Sequence, residues 1–158
     1  MPPVEERDRK EVERLVARIR LDELFQQAMS SNLEEARGAF RTLEALCAMG
    51  RVEAKPFLVG LLLLAGDDWR RREELVRVMG RFTEPGLIHF LCNELRRVKN
   101  SNSTRRYLGA ILDVLERMPA EAVEGELEAL LEWEGLSRKI RARVERILWE
   151  MKYGGPHS

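Results

Sequence analysis

A chain of 158 residues, 44% hydrophobic and 34% charged, can bury one core and is too apolar for intrinsic disorder. Its 27 basic and 27 acidic residues cancel, so bulk charge gives no pull toward nucleic acid or an anionic membrane. Threonine occurs only as Thr42, Thr83 and Thr104, and no stretch alternates apolar and polar residues over a strand length, so the expected fold class is all-α.

Pro2 and Pro3 suit a first helical turn, and Glu5, Glu6 and Asp8 favour the positive end of a helix dipole. Val12, Leu15, Val16 and Ile19 then share a face, and a second short segment carries Leu21, Leu24, Phe25 and Met29. Ser30-Ser31-Asn32 breaks the pattern and offers a capping box between Ser31 and Glu34. The next helix gathers Ala36, Phe40, Leu43 and Cys47 and ends at Gly50.

Pro56 to Ala65 reads as a nearly all-apolar helix stopped by Gly66, and Asp67-Asp68 caps a helix holding Leu75, Val78, Met79 and Phe82. Thr83-Glu84-Pro85 opens another, with Leu87, Ile88, Leu91, Cys92 and Leu95. Asn100-Ser101-Asn102-Ser103 reads as a loop. Leu108, Ile111, Leu115 and Met118 mark a further helix, and Pro119 opens one with Val123, Leu127, Leu130 and Leu131. After Gly135 a last helix carries Ile140, Val144, Ile147, Leu148 and Met151, and residues 153–158 are expected to form a mobile tail. Helices of this length joined by links of about 2 to 6 residues pack as antiparallel neighbours.

The pattern repeats. Phe40, Leu75, Ile111 and Ile147 are separated by 35, 36 and 36 residues, and loops interrupt each period at comparable places. Glu35-Ala36-Arg37-Gly38-Ala39-Phe40 with Leu43 and Met49-Gly50, followed by Pro56-Phe57-Leu58-Val59-Gly60-Leu61-Leu62, resembles an outer and an inner helix of a HEAT repeat. The resemblance covers residues 33–152. Arg70-Arg71-Arg72-Glu73-Glu74 and Arg105-Arg106-Tyr107 depart from the small residues that the family favours at those places. It implies a short right-handed stack of antiparallel helical hairpins, an α-solenoid, in one domain with residues 4–29 packed on the stack. The alternative is an irregular helical bundle.

No chemistry-bearing cluster stands out. His89 and His157 are isolated, no glycine-rich phosphate loop is present, and no serine sits in a nucleophile elbow, so no catalytic residue, metal ligand or cofactor is expected. Cys47 and Cys92 lie 45 residues apart inside apolar patterns and read as reduced, buried thiols. Trp69, Trp133 and Trp149 read as packing residues. The first residues lack the apolar core of a signal peptide, and the longest apolar run is far short of the roughly 20 residues of a membrane span. A cytoplasmic location without membrane association is the expectation.

Charge is unevenly placed. Residues 68–106 carry ten basic and five acidic side chains, residues 107–134 one and eight, and residues 135–158 six and two. At 100° per residue, Glu121, Glu124, Glu128 and Glu132 share a narrow face of the helix after Pro119. On the helix after Pro85, His89, Asn93 and Arg96 lie together with Arg97 at their edge. Both are second helices of their hairpins, and the HEAT resemblance implies that second helices line the partner-binding surface. The helix after Pro56 differs, with Val59, Gly60 and Leu63 where its siblings are polar, an apolar ridge for the N-terminal helices or a second copy to cover.

The leading reading is a non-enzymatic scaffold docking a protein or peptide, with Val59, Gly60, Leu63, His89, Asn93, Arg96, Arg97, Glu124 and Glu128 as candidate contacts. Self-association stays open. One rival is a nucleic-acid-binding stack using Arg70, Arg71, Arg96, Arg97, Arg105 and Arg106, disfavoured by the zero net charge and the glutamate face. Another, implied by the fold resemblance alone, is an accessory subunit of an enzyme, such as a pigment-lyase chaperone.

Overall fold

The computed structural model describes residues 4–154, and these form nine α-helices with no strand among them. The chain divides between Gly66 and Asp67 into two compact units. Of the expected C-terminal tail, Tyr153 is the last residue of a helix, and residues 155–158 lie outside the described part.

The first unit holds α1 (Val4–Arg18), α2 (Leu21–Ala28), α3 (Leu33–Ala48) and α4 (Ala54–Leu64). The cap of α3 is Asn32 rather than Ser31. Its Oδ1 accepts from the Glu34 and Glu35 amides at 3.0 and 3.3 Å, while the Ser30 hydroxyl accepts from the Asn32 amide. Helix α3 ends before Gly50, which takes φ +100°, and Gly66 takes φ +58° two residues past the end of α4; both are left-handed conformations that favour glycine. Helix α2 packs on α3 and α4, with the Phe25 and Phe57 rings 5.5 Å apart, and Phe40, Leu43, Leu58 and Leu62 are fully buried. Helix α1 buries Val16 but leaves Val12 and Leu15 exposed, and Ile19, just past its end, is exposed too. Arg51 Nη1 donates to the Val16 carbonyl at 2.8 Å and also to that of Ile19.

The second unit holds α5 (Trp69–Val78), α6 (Pro85–Arg97), α7 (Arg105–Arg117), α8 (Ala120–Leu131) and α9 (Arg138–Tyr153). Asp68 caps α5 through the Arg71 amide at 3.1 Å, Pro85 opens α6, and Ser137 caps α9 through the Ile140 amide at 3.3 Å. Before α7, Thr104 closes the polar loop by donating to the Lys99 carbonyl and accepting from the Ser101 amide. Helix α7 packs on α5 and on α9, while α6 packs on α8; α6–α7 and α8–α9 contacts join the two rows. The residues spaced by the repeat, Phe40, Leu75, Ile111 and Ile147, lie inside α3, α5, α7 and α9, all at most 1% exposed.

Ion pairs run across one row. Arg143 on α9 holds Asp113 and Glu116 of α7 at 2.8 and 2.9 Å, and Arg77 of α5 reaches Asp113 at 3.4 Å. Between the rows, Arg72, Glu94 and Tyr107 are buried together. No helix among the described residues is long and apolar enough to cross a membrane.

Candidate functional site

The α6 side that faces away from the core presents His89 and Asn93 to solvent, with Arg96 half-buried and Arg97 exposed, because Ile88, Leu91, Cys92 and Leu95 occupy its buried face. Beside it runs a groove of about 510 Å³ between α6 and α8, reached by Pro85, His89 and Arg96 on one wall and Glu121, Ala122 and Glu126 on the other. Ala122, Gly125 and Ala129 recur at helical spacing and line the groove, and a Cβ at Gly125 would meet nothing within 4 Å.

His89 Nδ1 donates to the Glu126 carboxylate at 3.2 Å. A carboxylate can only accept, so this contact is a hydrogen bond when the ring proton sits on Nδ1. Glu126 was not legible as a site residue. Its only signal is its place beside the small-residue stripe, away from the glutamates that stand out on the helical wheel.

Of those glutamates, Glu121 lines the groove, but Glu124 and Glu128 face elsewhere. Lys152 of α9 pairs with Glu128 at 2.9 Å and lies 3.9 Å from Glu124, which holds its ammonium above its ordinary pKa, first through the hydrogen bond to Glu128. Glu124 and Glu128 therefore meet α9, and neither lines the α6–α8 groove. Arg96 borders the groove, whereas Arg97 is engaged by Glu94 at 3.0 and 2.9 Å.

Val59, Gly60 and Leu63 lie on α4. Val59 and Gly60 are half-buried, but Leu63 is 58% exposed and its neighbour Leu64 61% exposed. The expected cover of Leu63 by the N-terminal helices is not formed. Helix α2 is short, and its one aromatic contact with α4 falls at Phe57, on the preceding turns.

Cys92 is fully buried near Glu126, and burial above all pushes its thiol up to about 12. Such a thiol stays protonated at neutral pH and is a poor nucleophile, although Glu126 lies near it. Among the described residues no group of three His, Cys, Asp or Glu is placed to hold a metal ion. Of the six arginines that sequence spacing collects, three are engaged, Arg71 with Asp68, Arg97 with Glu94 and Arg106 with Glu73. Trp69 packs against Tyr107 with ring centroids 5.5 Å apart, while Trp149 is 61% exposed beside Tyr153 and is no core residue.

The groove thus offers mixed charge and a hydrogen-bonding imidazole. No protein-family model, curated protein or solved structure matches this chain.

Proposed function

We propose that this protein is a non-enzymatic interaction scaffold, with α5 to α9 arranged as a HEAT-like stack of antiparallel hairpins that docks a protein or peptide on the α6–α8 face. The observation that carries the reading is the side-by-side packing of α6 and α8, with His89 and Arg96 on the wall of an open groove of about 510 Å³. Any surface helix needs a solvated face. A groove floored by Ala122, Gly125 and Ala129 gives this face a shape that solvation alone does not call for.

The reading is tested by filling the groove. Ala122→Trp projects a large ring into it from a half-buried surface position, and Asn93→Ala trims the exposed face of α6 beside it. The binding partner recovered by wild-type protein is expected to be lost with Ala122→Trp and weakened with Asn93→Ala, while the helical circular dichroism of both variants stays unchanged. Equal recovery by all three proteins would place docking elsewhere.

A further inference from the structure

A second cleft, of about 340 Å³, opens where α6 ends against the α8–α9 loop; Arg96, Lys99, Asn100, Trp133, Gly135 and Ser137 are among its walls. Its charge is one-sided. Arg97 is taken by Glu94, but Arg96 and Lys99 make no ion pair among the described residues. From Leu95 to Arg106 the chain carries Arg96, Arg97, Lys99, Arg105 and Arg106 and no acidic residue. The first turn of α9, whose cap Ser137 lines the cleft, contains no acidic residue either. Cations in the last turn of α6 complement its dipole, which accounts for Arg96 and Arg97 but not for Lys99, beyond the helix end.

The aromatic wall is fixed in place. Trp133 is 40% exposed, and its ring lies so close to Gly135 that a Cβ there would meet Cζ2 at 2.6 Å, so only glycine lets the loop close on the indole. Arg141 clamps the same loop, donating to the Leu131 and Trp133 carbonyls at 2.7 Å each. An exposed indole packed against Gly135, on a loop whose backbone Arg141 holds, forfeits little freedom when a flat group stacks on it.

We infer that this cleft binds a nucleoside phosphate, its base stacked on Trp133 and its phosphate held by Arg96 and Lys99. Small-ligand pockets begin at about 300 Å³, so the cleft admits one nucleotide unit and excludes a duplex. A free mononucleotide and one unit of a single strand share this chemistry. The site shares Arg96 with the α6–α8 groove, whereas Lys99 and Trp133 line this cleft and not the groove, so Lys99→Ala and Trp133→Leu test it apart from what docks there.

The test uses the full-length protein with adenosine monophosphate in calorimetry and a short fluorescein-labelled oligoadenylate in anisotropy. Saturable binding of adenosine monophosphate is expected. It should weaken at least about tenfold when Arg96→Ala and Lys99→Ala are combined and at least about fivefold in Trp133→Leu. Trp133→Phe keeps a stacking ring and should stay close to wild type, and Arg117→Ala, remote from the cleft walls, should be unchanged. Tighter binding of the oligonucleotide identifies a single strand as the source of the nucleotide, and equal binding identifies the free molecule. The proposal is overturned if neither probe saturates, or if ribose 5-phosphate binds as well as adenosine monophosphate, since the indole would then contribute nothing. Equal displacement by a polyglutamate peptide would overturn it too, pointing to an acidic protein segment.

Discussion

Tyr107 on α7 donates its phenol proton to Glu94 Oε2 on α6 at 2.8 Å, and Arg72 on α5 reaches the same oxygen at 3.0 Å. All three residues are at most 3% exposed, and the Arg72 guanidinium stacks 5.1 Å from the centre of the Tyr107 ring. Three helices thus meet on one carboxylate. Burial first, and then the nearby Glu94, pushes the Tyr107 phenol above its ordinary value, which keeps it a donor throughout the neutral range. Glu94→Ala strands the Arg72 charge in the interior and should cost about 3–5 kcal/mol, whereas Tyr107→Phe removes one hydrogen bond to a charged group and should cost about 1.5–3 kcal/mol. Urea unfolding of both variants beside wild type measures the two losses. Equal, negligible losses would mean that the carboxylate is not buried as described.

Acid should weaken the row of α5, α7 and α9. The hydrogen bond from Arg143, ahead of that from Arg77, holds the Asp113 carboxyl below its ordinary value. A folded-state pKa below the unfolded one gives stability that is complete above about pH 4 and is lost as pH falls through the depressed value. Asp113→Asn removes that acid-sensitive part, so the drop in urea midpoint between neutral and acidic pH should be smaller in the variant than in wild type. An identical drop would show that Asp113 contributes nothing to it.

Much of the fold is legible in the chain because a buried face of 3.6-residue period is a one-dimensional signal. Gly50 and Gly66 mark helix ends for the same local reason, and Pro85 marks a start. The buried Arg72, Glu94 and Tyr107 are not legible. In the sequence Arg72 is one of three consecutive arginines, and only contacts spanning 22 and 35 residues show that it turns inward. Glu124 and Glu128 illustrate the same limit at the candidate site, since a helical wheel gives their shared direction but not the presence of Lys152 opposite. Leu63 shows the reverse, an apolar side chain that spacing assigns to a covered ridge and that α2 does not reach.

Leu63 therefore separates two kinds of cover. Being 58% exposed, it should tolerate Leu63→Glu with a stability change within about 0.5 kcal/mol in the monomer. Deleting residues 1–29 is different, because it removes the buried Leu21 and Ala28 and the Phe25 contact with Phe57, and it should destabilise the first unit. Thermal unfolding with light scattering checks both. A fall in mass on Leu63→Glu would identify a second copy as the cover of the exposed leucines.

Cys92 should be silent in the folded protein. Its thiol is fully buried and raised to about 12, so alkylation at mildly alkaline pH should spare it until denaturant is added. Mass spectrometry of the intact and digested protein reports the site. Rapid labelling of Cys92 without denaturant would contradict the packing of α6 against its neighbours.

The most direct measurement for the docking account places a photo-crosslinking residue at Asn93, on the exposed face of α6, and separately at Arg117, exposed at the end of α7. The account predicts a discrete adduct with one partner from position 93, none from position 117, and loss of the adduct when Ala122→Trp fills the groove beside it. Adducts of equal yield from both positions, or an adduct at 93 that survives Ala122→Trp, would contradict docking on the α6–α8 face.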